Sequence, residues 1–148
     1  MSDTVHAGRC NCGAVRVEVA GPFIGAGYCH CGVCRRRTGT AAAPSALAPA
    51  DSVHIIAEDG ALGAWTSASG SHKVFCARCG SAIASMRPAG HPRPAVAVRM
   101  GLLDGDPGVV PSFRQFTAFA APWEAIPDDG LPRFPEAAPP SAWEPVDR

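Results

Sequence analysis

Gly8-Arg9-Cys10-Asn11-Cys12-Gly13-Ala14-Val15-Arg16-Val17-Glu18-Val19 is the stretch on which the reading of the fold turns. From Val15 to Val19, valine alternates with arginine and glutamate at period two, the pattern of a strand with one buried and one wet face. Two cysteines one residue apart stand directly before it. Gly13 follows them and permits the tight turn that aims backbone N–H groups at sulfur. A strand is therefore expected over Ala14–Val19, with a pair of thiolates at its mouth.

The other cysteines are grouped as well: Cys29, Cys31 and Cys34, then Cys76 and Cys79, making 7 in 148 residues. A disulfide framework needs an oxidising compartment, and an odd count would leave one thiol over. Residues Met1 to Gly8 have no basic segment followed by an apolar stretch, so a secretory signal is not expected and a cytoplasmic location is. Metal binding is the better reading, because cysteines one or two residues apart present paired thiolates to one zinc ion at about 2.3 Å.

Seven ligands divide into four and three. Cys10 and Cys12 with Cys76 and Cys79, each pair followed by a glycine (Gly13, Gly80), make a closed tetrahedral set whose role would be structural. Cys29-x-Cys31-x-x-Cys34 offers three corners of a tetrahedron and leaves the fourth open, the mark of a catalytic zinc. His30 lies between two of these ligands, and adjacent residues of an extended chain point to opposite sides, so it reads as lining the pocket and not as a ligand. The isolated His6, His54, His72 and His91 read as surface histidines.

Three thiolates on a divalent ion carry a formal charge of about −1, which weakens the ion's power to acidify water. Such a centre suits a soft ligand, a substrate thiol bound as thiolate with its pKa lowered from about 8.5 and able to attack a carbonyl carbon. Arg35, Arg36 and Arg37 follow Cys34 directly. They are candidates to offset the excess charge or to hold substrate carboxylates, Arg35 and Arg36 foremost.

Composition bounds the rest. A chain of 148 residues with 47% hydrophobic and 18% charged residues is one globular domain. It has no run approaching the roughly 18 apolar residues of a membrane span. Its 13 basic and 13 acidic residues supply no positive field for nucleic acid. With 16 glycines and 15 prolines, long helices have little room.

Short strands are expected at Val53–Ile56, Ala61–Trp65, Lys73–Phe75, Ala82–Met86, Ala95–Met100 and Phe113–Thr117, with a helical turn after Cys31 stopped by Gly39. Thr40–Ala50 reads equally as strand or packed loop, and His91-Pro92-Arg93-Pro94 as an exposed connector. The fold class is mainly β, with small antiparallel sheets and few or no long helices. Residues 1–7 read as a loose N-terminus, 8–135 as the zinc-binding domain, and 136–148 as a proline-rich surface tail. Phe134 and Trp143 are its candidate anchors.

The arrangement resembles the glutathione-dependent formaldehyde-activating enzymes, or S-(hydroxymethyl)glutathione synthases, whose domain also occurs in a centromere protein. The matching pieces, in family order, begin with Gly8 to Val15 and Cys29-His30-Cys31-Gly32-Val33-Cys34-Arg35-Arg36-Arg37-Thr38-Gly39. Phe75-Cys76-Ala77-Arg78-Cys79-Gly80-Ser81, Gly101-Leu102-Leu103-Asp104 and Ala121-Pro122-Trp123 follow. The resemblance implies a zinc-bearing β-tent. It further implies structural zinc at Cys10, Cys12, Cys76 and Cys79, and catalytic zinc at Cys29, Cys31 and Cys34. The activity it implies is carbon–sulfur bond formation between glutathione and formaldehyde, classed in reverse as a carbon–sulfur lyase. Two positions depart from the family pattern: Lys73 stands where members usually have arginine, and Arg114 where many carry histidine.

Two other function classes are carried beside the enzyme. One is a non-catalytic zinc-stabilised binding module of the same fold. The other is a redox protein related to sulfoxide reductases, which would need a reactive cysteine outside the metal sites. The partners expected are a small-molecule thiol and an aldehyde.

Overall fold

Val15, Val17 and Val19 are completely buried while Arg16 and Ala20 face solvent, so the alternation read in the sequence becomes strand β2 (Val15–Ala20). Burying a valine side chain fully contributes about 1.5–3 kcal/mol, which makes this strand a main source of core stability. The computed structural model describes residues 4–144. Met1, Ser2 and Asp3 of the segment read as loose, and residues 145–148 of the proline-rich tail, lie outside the described residues.

Strand β1 (Val5–Arg9) pairs antiparallel with β2 over its whole length. Val5 to Ala7 are therefore part of a sheet, not of a loose terminus. With only two apolar side chains in Val5-His6-Ala7, the segment has no strand signal of its own, and its order comes from the ladder that β2 provides.

On the other side of β2 lies β5 (Val53–Ala57), completing a three-stranded sheet. The larger sheet has seven strands. In spatial order these are β10 (Arg114–Gln115), β3 (Gly25–Cys29), β4 (Ala43–Pro49), β9 (Ala95–Arg99), β8 (Ala82–Met86), β7 (His72–Cys76) and β6 (Leu62–Thr66). All pairs are antiparallel except β3 with β10. The fold is thus mainly β, with one short α-helix, α1 (Gly32–Thr38), capped by Gly39 in the left-handed conformation at φ 67. The strand expected over Phe113–Thr117 shrinks to two residues because Phe116 turns the chain at φ 55. His91 to Pro94 do link β8 to β9. No helix among the described residues is long and apolar enough to cross a membrane.

β4 resolves the ambiguous alanine-rich stretch as a central strand despite two prolines. Pro44 pairs with β3 but lies past the end of the β9 ladder, and Pro49 pairs with β9 but lies past the end of the β3 ladder. Each proline sits where the strand has one neighbour, so no shared ladder loses a donor. Ala43, Ala46 and Ala48 are fully buried, because the sheet here is covered on both faces.

The two sheets bury one core between them, with Val15, Val17 and Val19 facing Ala46, Ile83, Val96 and Val98. A second, smaller contact fixes the chain's last described segment. Phe134 and Trp143 present their rings edge-on to Phe113, at 6.2 and 4.7 Å between centroids. The backbone of Phe134 is hydrogen-bonded to Arg114 O at 2.8 Å. Residues 136–144 are consequently packed on the sheet rather than trailing from it.

Phe113 in turn fills the space that Gly27 leaves empty. A Cβ at residue 27 would lie 2.2 Å from the Phe113 ring. Gly27→Ala should therefore destabilise the fold by about 1–3 kcal/mol, the usual cost of overpacking. Chemical denaturation should show a lower midpoint with an unchanged slope, and an unshifted midpoint would refute the close approach.

Candidate functional site

The first cysteine cluster sits where the two sheets meet. Cys10 and Cys12 occupy the turn between β1 and β2, while Cys76 ends β7 and Cys79 lies in the turn after it. All four sulfurs lie within 4.8 Å of one another. The closest resolved pairs are Cys10 to Cys12 at 3.6 Å and Cys12 to Cys76 at 3.7 Å. Four thiolates at about 2.3 Å from a tetrahedral ion would have edges of about 3.8 Å, so the quartet fits zinc without rearrangement.

Backbone donors surround these sulfurs, as the Val15 N–H donates to Cys10 Sγ at 3.3 Å. The Ser81 hydroxyl, 3.2 Å from Cys79 Sγ, and nearby backbone N–H groups push the Cys79 thiol down to about 5. Gly13 and Gly80 supply the left-handed turns, at φ 81 and 79.

The second cluster is built at the junction of β3 and α1. Cys29 ends β3, Cys31 is the N-cap residue of α1, and Cys34 lies in the helix's first turn. The Cys31 sulfur accepts the Cys34 N–H at 3.3 Å, doing at the helix start what a serine hydroxyl does elsewhere. The three sulfurs lie within 4.8 Å of one another, and among the described residues no fourth histidine, cysteine or carboxylate joins them. Neighbouring sulfurs and the Arg99 guanidinium hold the Cys34 thiol far below its ordinary range, while the same sulfurs push Cys29 up. Three thiols this close cannot all ionise on their own. A bound cation is what the donor set lacks. All seven cysteines are free thiols, so no disulfide framework exists.

These sulfurs open onto a cavity of about 440 Å³. Its cations are Arg99 and Lys73. Arg99, buried at the end of β9, donates from Nη1 to Ser45 Oγ at 2.9 Å and from Nη2 to Cys34 Sγ at 3.6 Å. Lys73 Nζ donates to Ser85 Oγ at 2.6 Å. Burial pulls the Lys73 ammonium below its ordinary range. Phe116 and Trp143 contribute aromatic surface.

Neither Arg35 nor Arg36 lines this cavity. Consecutive helical residues diverge around the axis, so Arg35 and Arg36 are turned away from the face that carries Cys34. Arg37 reaches the backbone of β7 instead, donating from Nη2 to Val74 O at 3.0 Å.

His30 alternates to the opposite side of the chain from Cys29 and Cys31, as expected of a non-ligand. It does not line the thiolate cavity, however, but a separate one of about 210 Å³ shared with Arg114 and Tyr28. There Arg114 Nη1 lies 3.2 Å from His30 Nε2, Arg114 pairs with Asp129 at 2.9 Å, and its guanidinium stacks 4.2 Å over Tyr28.

Arg99 was not singled out in the sequence, and Lys73 only as a departure from the family pattern. The available signal for each was a charged residue inside an otherwise apolar strand, Val96-Ala97-Val98-Arg99 and Lys73-Val74-Phe75.

Comparison with known proteins agrees with this geometry. A search of curated proteins found no significant match. Among solved structures, a Rhodobacter sphaeroides protein has 25% sequence identity and a TM-score of 0.56, covering 86% of this chain and 98% of its own. The family model described as glutathione-dependent formaldehyde-activating enzyme matches residues 5–119. That span runs from the first strand past both cysteine clusters and covers most of the chain, and the protein accordingly belongs to the glutathione-dependent formaldehyde-activating enzyme family.

Proposed function

We propose that the protein is a carbon–sulfur lyase acting reversibly, joining a thiol such as glutathione to formaldehyde or a related small aldehyde at Cys29, Cys31 and Cys34. The carrying observation is the contrast between the two clusters, one with four sulfurs and one with three that open onto a cavity. Zinc is the ion this donor set favours at both. At the trio it would supply the Lewis acidity that keeps an incoming thiol deprotonated. At the quartet its role would be to hold the sheets together.

The reaction balances without a further reagent. The thiol sulfur forms a bond to the carbonyl carbon, the carbonyl π bond breaks, and the thiol's proton ends on the former carbonyl oxygen.

The chain's residues have separable parts in this scheme. Arg99 offsets the negative charge of the sulfur cluster and is itself fixed by Ser45. Lys73 provides the proton for the developing alkoxide. Burial lowers its pKa, which makes the ammonium a readier proton donor than a solvated lysine. Phe116 and Trp143 narrow the cavity around a small aldehyde and keep bulk water back.

The direct test is ¹³C exchange NMR with metal-loaded protein, glutathione and labelled formaldehyde. Formation of the S-hydroxymethyl adduct should be faster than without protein. An unchanged rate with glutathione and with other thiols and aldehydes would favour a non-catalytic module instead. In the same assay Lys73→Met should lower the turnover rate by about a hundredfold, the smaller end of general-acid effects, with metal content unchanged. Lys73→Arg should recover only part of the loss, and full activity in Lys73→Met would remove Lys73 from the proton path.

A further inference from the structure

α1 has a second cavity beyond its thiolate face. Its first turn gives Cys34 to the thiolate cavity, and its last turn gives Arg37 and Thr38 to a separate hollow of about 380 Å³. Three arginines line this second hollow, Arg9 from β1, Arg37 from α1 and Arg99 from β9, and no aspartate or glutamate among the described residues does.

Their hydrogen bonds go to neutral groups or to sulfur. Arg9 Nη1 faces the carbonyls of Cys10 and Asn11 at 3.2 and 3.3 Å, Arg37 Nη2 donates to Val74 O, and Arg99 uses both terminal nitrogens on Ser45 and Cys34. Arg37 Nη1 and Arg99 Nε remain buried without a hydrogen-bond partner. Burial and the Arg99 charge together pull the Arg37 guanidinium below its ordinary range, against a smaller opposing pull from Cys34. Thr38, Thr40 and Ser81 add hydroxyls to the same wall.

Like charges gathered around one hollow repel, and an anion seated between them removes that cost. Guanidinium groups also match the planar or tetrahedral oxygens of an oxyanion in bidentate geometry. We propose that this cavity is an oxyanion site, holding a carboxylate or phosphoryl group between Arg9, Arg37 and Arg99. The assignment does not depend on the thiol chemistry at the other cavity.

Isothermal titration calorimetry on full-length, metal-loaded protein in low-chloride buffer tests it, with inorganic phosphate and succinate as probes. Saturable binding of at least one probe is expected. It should weaken by about tenfold or more in Arg37→Gln and in Arg9→Gln, as loss of a charge-assisted hydrogen bond implies, and stay unchanged in Arg93→Gln, an exposed arginine in the connector between β8 and β9. Tighter phosphate binding would assign a phosphoryl ligand, and tighter succinate binding a carboxylate. If Arg37→Gln fails to fold for want of its bond to Val74, Arg9→Gln decides alone. No saturable binding of either probe, or binding that survives the cavity variants or falls equally in Arg93→Gln, overturns the site.

Discussion

Cys10→Ala is expected to yield a chain without a cooperative thermal transition. Cys10 is 1% exposed, and its sulfur accepts the Val15 N–H at the head of the core strand β2 while facing Cys12 at 3.6 Å. The quartet to which it belongs draws the β1–β2 turn of the smaller sheet and the end of β7 with its following turn in the larger to a single point. A structural zinc contributes an apparent 10–16 kcal/mol or so, against a total stability of about 5–15 kcal/mol for a domain. With zinc at the quartet as proposed, losing most of that contribution would exceed the margin of a domain this size. Cys79→Ala should behave alike, and a strong chelator should unfold the wild type. Near-UV circular dichroism and calorimetry provide the measurement, and a Cys10→Ala protein melting within a few degrees of wild type would show that the quartet is dispensable.

Most of what could be read in the sequence was local: the period-two valines of β2, the glycine stop of α1 and the spacing within each cysteine group. The joining of Cys10 and Cys12 to the distant Cys76 and Cys79 was legible for another reason, since four thiolates complete a tetrahedral set. β3 escaped, and β4 stayed open between strand and packed loop, because neither carries an alternation. Gly25-Ala26-Gly27 is buried on both faces with glycine where Phe113 and the Trp143 backbone press close, and β4 is alanine where both faces are covered.

The cavity cations escaped for a different reason. Arg99 reaches Cys34 because β4 lies between β3 and β9 in a register that sets Ser45 opposite Arg99, a pairing that nothing near Cys34 in the chain encodes. Sequence adjacency instead favoured Arg35 and Arg36, which the helix turns away. The two departures from the family pattern likewise part company. Lys73 faces the sulfurs' cavity, and Arg114 is committed to Asp129 and Tyr28 elsewhere.

Cys34→Ala should separate chemistry from folding. The trio joins only the end of β3 to α1, and its small apolar cluster of Cys29, Cys34 and Ala43 lies apart from the main core. Losing the Cys34 sulfur leaves Arg99 Nη2 without its acceptor, which costs about 1–3 kcal/mol. Cys31→Ala would cost a further contribution of about 1 kcal/mol because its sulfur caps α1. A Cys34→Ala protein should therefore stay folded, with a melting temperature several degrees below wild type. It should retain one tightly held metal ion of two. Its rate in the thiol–aldehyde assay should fall by well over about a hundredfold, since even residues that merely orient metal ligands cost 10–100-fold or so when removed. Metal analysis, calorimetry and turnover on the same preparation distinguish the outcomes. A Cys34→Ala protein that unfolds would make the trio a second structural staple, and one that keeps its rate would move the chemistry away from these sulfurs altogether.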